Sequence, residues 1–201
     1  MALDLSQIGF VAGTAVASGL RLYGTVAGLG FLHRIGALQL PGPLEVLAQT
    51  PVLVLATVLY VVEFIADKVP IVDTVWDAVH TFIRVPAAAV LGFAFLNEVA
   101  EPWRTVAALL SGTIALSTHG LKAGTRLALN TSPEPFTNWA ASLSEDLLLG
   151  FLLFLVVKHP VLAIVAAAVT VAVALLLASW VVRSLRRLLR FRPQGAGLPA
   201  P

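Results

Sequence analysis

Four carboxylates and a lysine fall within one short stretch between apolar runs: Glu63, Asp67, Lys68, Asp73 and Asp77. Each is expensive to keep beside a hydrophobic segment of a membrane, so a use for them is implied. Carboxylates in such a place can bind and release protons, or hold a hard cation. Glu63 and Asp67 are four apart and share one helical face. Pro70 interrupts regular helix by removing a hydrogen bond. Beyond it Asp73, Asp77, His80 and Arg84 recur at helical spacing as a single polar stripe. A second cluster follows downstream. His119, Lys122, Arg126 and Asn130 place a histidine, two cations and an amide on one stripe. Glu134, Asn138, Glu145 and Asp146 come next. Arg21 stands alone inside the first apolar run and must face the interior and an anion, which the acids of 63–77 can supply.

Each group also has a plainer reading. Glu63, Asp67 and Lys68 fit a helix end at the headgroup level, with the lysine snorkelling. Asp73, Asp77 and His80 fit an amphipathic helix lying on the interface. Asp73 and Asp77 are weak candidates for a metal, since no two histidines lie close in sequence and further ligands would have to converge through folding. Arg21, Lys122 and Arg126 balance the acids internally in the preferred reading, and bind an anion or a lipid phosphate in the other. Ser142 and Glu145 match a capping box at a helix start.

The elements that carry these groups are apolar. The 201-residue chain is 58% hydrophobic and 12% charged, with mean hydropathy +0.91. Soluble domains carry about twice that charge. The reading is all-α: a polytopic helical membrane protein, since the continuous apolar runs lack the alternation of barrel strands. There is no cysteine, which excludes disulfides and thiolate chemistry. Formal net charge is +2, but Arg183, Arg186, Arg187, Arg190 and Arg192 hold five of the thirteen basic residues at the C-terminal end. No basic face exists elsewhere, so nucleic acid is not an expected partner. The N-terminus has no basic region of the kind that precedes a cleaved signal.

About six hydrophobic segments are expected, some short or broken: 8–32, 51–66, 86–96, 103–129, 142–157 and 161–182. Residues 70–84 are too few to span and would lie on the surface or re-enter. Residues 1–182 form one helical transmembrane domain. Residues 183–201 form a basic tail, cytoplasmic by the positive-inside rule and able to hold anionic lipid. Thr50-Pro51 is a favourable start for the second segment. Trp76, Trp103, Trp139 and Trp180 fall near segment ends, as interfacial aromatics do. Ser18-Gly19-Leu20-Arg21 is echoed by His119-Gly120-Leu121-Lys122, and interrupted segments at corresponding places are a sign of an inverted repeat.

Five motifs in this order resemble a known family: Ala17 to Arg21, Glu63 to Pro70, Asp73 to Asp77, Lys122 to Arg126 and Asn130 to Pro135. They are similar to the bacterial membrane family known as domain of unknown function 4126, over roughly residues 8–170. The resemblance implies that these motifs belong to one site and supplies no substrate. The function expected is a transporter or channel-like protein for a small ion or solute in the cell inner membrane, with no cofactor. The alternatives are a membrane-embedded binder or enzyme acting on a phosphorylated lipid, and a helical subunit of a larger complex. No phosphatase or transferase motif supports an enzyme, and a homo-oligomer is compatible with the chain.

Overall fold

Proline sets most of the helix starts. The computed structural model describes residues 3–130 and 135–190. Among them are seven α-helices and a 3₁₀ helix, Gly42–Ala48, with no strand. The helices are α1 Leu5–Leu20, α2 Leu22–Arg34, α3 Thr50–Ala66, α4 Pro70–Phe95, α5 Glu101–Leu129, α6 Pro135–Lys158 and α7 Pro160–Arg190. From α3 onward each opens with proline in one of its first two positions, where the missing N–H costs nothing. α1 instead starts with a capping box in which Asp4 and Gln7 satisfy each other's backbone N–H.

Several expected boundaries move. Segment 8–32 is two helices, because Arg21 has extended backbone between α1 and α2. Residues 70–84 and 86–96 join as one helix of 26 residues with Pro86 inside it. Proline removes one backbone bond, and packing against neighbouring helices offsets that loss in a bundle. Thr50 is the first residue of α3 rather than its cap, and its hydroxyl accepts from Arg34 Nη2 at 2.5 Å. Ser142 does not cap a helix, since Pro135 starts α6 two turns earlier. α7 continues through the basic residues to Arg190.

Three helices are long and apolar enough to cross a membrane, over Ile71–Phe95, Phe136–Lys158 and Pro160–Ser184. A fourth arises if the 3₁₀ helix and α3, bent by 63° at their junction, make one span. This is the composition of a multi-pass membrane protein. Large apolar side chains face outward, including Ile71, Phe82, Leu109, Leu147 and Leu175, while Arg21, Glu63, Asp67, Asp73, Arg84 and Arg126 are buried. The charged groups are gathered in the interior beside an apolar core, and the exterior is apolar, as lipid requires.

α1 runs through the middle and packs on α4, α5, α6 and α7. Every residue from Gly9 to Leu20 is buried. Its small residues allow that proximity. A Cβ on Gly19 would collide with the Ala115 carbonyl and Thr118 of α5. Close approach of α1 to α5 brings Arg21 beside Lys122.

Candidate functional site

Two helix interruptions meet inside the protein. Arg21 has φ −148° and ψ 91°, so the α1 ladder stops and α2 starts in a new direction. The end of α1 frees carbonyls, which in the absence of water need donors. Lys122 Nζ approaches the Leu20 carbonyl at 3.4 Å and Arg84 Nη1 the Gly19 carbonyl at 3.5 Å. The second interruption, between α3 and α4, is treated alike. Arg126 Nη1 donates to the Asp67 carbonyl at 3.1 Å, and Lys68 Nζ to that of Phe64 at 2.9 Å. Both helices thus end on cations, the favourable sign at a C-terminus.

The side chains at the two interruptions bind each other. Arg21 Nη1 lies 2.7 Å from Asp67 Oδ2, and both residues are fully buried. Asp67 also meets Lys122 at 3.2 Å and Arg126 at 3.4 Å. Burial alone would push the Asp67 carboxyl up, but Lys122, Arg21 and Arg126 together hold it below its ordinary value. From α6, Glu145 reaches the same three cations, Arg126 at 2.8 Å, Lys122 at 3.3 Å and Arg21 at 3.4 Å. Asp146 pairs with Arg21 Nε at 2.8 Å and accepts from the Tyr60 hydroxyl at 2.9 Å. On the α4 side, Arg84 pairs with Glu63 and, at 3.2 Å, with Asp77. Lys122 sits among four carboxylates, with Glu63 and Asp77 both at 3.9 Å.

Hydrogen bonding fixes the histidines. Arg84 can only donate, so His119 Nδ1 at 2.6 Å is an acceptor. The proton of that neutral ring is then on Nε2, which faces the Asp77 carbonyl at 3.0 Å and the Thr81 hydroxyl at 2.8 Å. His80 directs Nδ1 at the Trp76 carbonyl, 2.8 Å away, meets the Tyr23 hydroxyl at 3.1 Å through Nε2, and stacks on Trp76. Asn130 Nδ2 donates to Asp73 at 2.9 Å and to Thr74 at 3.1 Å.

The expected residues therefore largely converge. Arg21, Glu63, Asp67, Asp77, His119, Lys122, Arg126, Glu145 and Asp146 form one network, with Asp73 and Asn130 at its α4–α5 edge. Lys68 lies at the rim, over the Phe64 ring and 3.5 Å from Ser142 Oγ. Asn138 is buried, and its carbonyl accepts from Arg126 at 3.1 Å. Glu134 lies outside the described residues. Among those residues no three histidines or acids are grouped so as to hold a metal ion, so Asp73 and Asp77 gain no further such ligand. Arg84, which the sequence places on the polar stripe, joins the network through Glu63 and Asp77. Ser142 Oγ accepts from Arg21 Nη2 at 2.9 Å, a role its capping-box pattern does not signal, and Tyr60 carries no signal in the sequence.

Two cavities adjoin the network. One, of about 240 Å³ between α4 and α5, is lined by Thr74, Asp77, Thr81 and Arg126 among others. The other, of about 410 Å³, lies between α2, α3 and α6 and is apolar apart from Thr57, Tyr60 and Asp146. The model of the family "Domain of unknown function (DUF4126)" matches residues 8–182. The chain belongs to this family. The matched span contains the whole DUF4126 network, from Arg21 to Asp146. No curated protein and no solved structure matches the chain.

Proposed function

We propose that this DUF4126 protein is a transporter or channel-like protein for a small ion or solute, with the charge network as its gate or binding centre. One observation carries the reading: two interrupted helices converge on the buried Arg21–Asp67 pair. Interrupted helices with charged groups at the break are a recurrent way of building a transport site. Lys122 is the movable part. A compact ammonium on a flexible stem, shared by four carboxylates, can be drawn from one to another when a substrate or ion competes. All three cations of the network's centre already face carboxylates, which favours internal charge balance over a lipid-phosphate site.

An inverted repeat is part of the same reading. The last residues of the two echoing tetrapeptides, Arg21 and Lys122, each contact both Asp67 and Glu145. Related halves meeting across an axis would give this sharing, with about six spanning segments. The membrane is the cell inner membrane, and the C-terminus is cytoplasmic because α7 ends in arginines; Arg183, Arg186 and Arg187 are exposed, which leaves them available to anionic lipid. The test is flux in liposomes for a panel of small ions and solutes. Asp67→Asn and Arg21→Gln proteins that still fold are expected to lose at least tenfold of the wild-type flux. Equal flux in all three proteins for every solute, or none above protein-free liposomes, overturns the proposal.

A further inference from the structure

We propose that Asp73 carries an exchangeable proton, and that the cavity between α4 and α5 is the route by which the proton comes and goes. The argument begins with a count. Six acids enter the cluster, Glu63, Asp67, Asp73, Asp77, Glu145 and Asp146. Against them stand the buried cations Arg21, Arg84, Lys122 and Arg126, and Lys68 at the rim. His119 adds no charge, since it accepts from Arg84. With His80 neutral, its Nδ1 donating to the Trp76 carbonyl and its Nε2 accepting from the Tyr23 hydroxyl, the acids exceed the cations by one. An uncompensated carboxylate away from water is costly enough that such groups take up a proton instead.

Geometry selects which acid. Glu63, Asp67, Asp77, Glu145 and Asp146 each have a cation within 4.0 Å. Asp73 is fully buried and, among the described residues, has no such pair. The Asn130 amide donates to its Oδ2 at 2.9 Å, while Oδ1 is buried with no hydrogen-bond partner. That oxygen is where the proton would reside. One turn along the same face, Asp77 also has a buried oxygen, Oδ2, without a partner, and Asp77 lines the cavity.

The surroundings allow release as well as uptake. Asp73 is in the first turn of α4, where the helix N-terminus favours the anion. Arg126 and Lys122 on α5 and Arg21 at the α1–α2 junction attract the anion. Glu63 and Asp67 of α3, Glu145 and Asp146 of α6 and Asp77 on its own helix oppose it. His80 and Arg84 share its stripe, Tyr23 of α2 faces His80, and His119 faces Arg84. Asp4 and the 3₁₀ helix's Glu45 are exposed and remote from this interior balance. A cavity of about 240 Å³ has room for several waters at about 30 Å³ each. Uptake forms an O–H bond on Asp73 and leaves water from hydronium; release reverses both.

This deepens the transport reading and rests on it only in making the proton a coupling ion. Infrared spectroscopy of the full chain in lipid nanodiscs separates the two, because it reads the carboxyl without any flux. At neutral pH the wild type is expected to show the C=O stretch of one protonated carboxyl, lost reversibly as pH rises. Asp73→Asn should remove that band, and the exposed control Glu45→Gln should leave it. Should Asp73→Asn not fold, Asp73→Glu keeps the acid and is expected to move the band's frequency. Absence of the band in the wild type overturns the proposal. So does a band unchanged by either Asp73 substitution, or one removed at constant pH by sodium or calcium chloride, which would make this a metal-ion site.

Discussion

α4 and α7 are both long enough and apolar enough to cross a bilayer, yet they use their faces in opposite ways. α4 buries Asp73, Asp77, His80 and Arg84 and turns Ile71, Val75, Val79 and Phe82 outward. α7 buries only Ala163 and Ala167 among its described side chains, and exposes Val169, Leu175, Leu176 and Trp180. The difference lies in what each faces. The polar stripe of α4 meets the end of α3, the α1–α2 interruption and the stripe of α5, which supply partners of opposite sign. α7 needs none. Spanning length alone therefore says nothing about function; a stripe of charges that finds countercharges inside does.

The contrast is broken most forcefully at Arg84. This side chain pairs with Glu63 and Asp77 and donates to His119 and the Gly19 carbonyl. Arg84→Gln leaves two buried acids short of a countercharge. Removing one partner of a buried ion pair costs about 3–5 kcal/mol. The expected result is a large drop in the midpoint of thermal unfolding, followed by size-exclusion chromatography in detergent. A drop no larger than that of a lipid-facing α7 variant would end the distinction between the two helices.

How far the sequence could carry this comparison depends on the kind of information each residue holds. The stripes 73–77–80–84 and 119–122–126–130 are periodic, and periodicity is local, so the sharing of one face within each stripe was legible; the burial of the first stripe was not, because a short polar stripe fits a membrane surface equally well. Arg21 as partner of Asp67 was legible too, because a lone charge in an apolar run needs an anion. The join across Pro86 was not, since a proline's cost is visible in the sequence while the packing that offsets it is not. Ser142 looked like a cap because Glu145 follows at the right spacing. Pro135 starts that helix earlier, and Ser142 instead receives Arg21. Tyr60 became a partner of Asp146 only through the α3–α6 approach, which no spacing encodes.

A middle-sized effect is expected at Gly13, where α1 touches the plain part of the molecule. A Cβ there would overlap Val156 of α6 and lie 3.0 Å from the Ala163 Cβ of α7. No charge is involved. Gly13→Val is an overpacking change, worth about 1–3 kcal/mol, and should lower the unfolding midpoint less than Arg84→Gln. It should also leave flux through the folded fraction intact, because the overlap lies away from the Arg21–Asp67 pair. Loss of flux equal to that of Asp67→Asn would mean that α7 packing and the charge network work as one unit.

The smallest effect is expected on the outer face of α7. Leu176 is 66% exposed, so in a bilayer its side chain meets acyl chains rather than protein. Leu176→Ala exchanges one apolar surface for another, and alanine is the better helix former. The stability read from the unfolding midpoint should stay within about 0.5 kcal/mol of wild type, the usual range for changes away from packed features. Detergent and nanodisc samples should agree, since neither removes a contact. If Leu176→Ala instead costs as much as Gly13→Val, this face is covered, and a second copy of the chain is the first occupant to test by cross-linking through a cysteine placed at Leu176. The chain has no native cysteine, so a disulfide-linked dimer from that variant would report α7 against α7 without background. Its formation would turn the plain helix into an interface and leave α4 distinguished by charge alone.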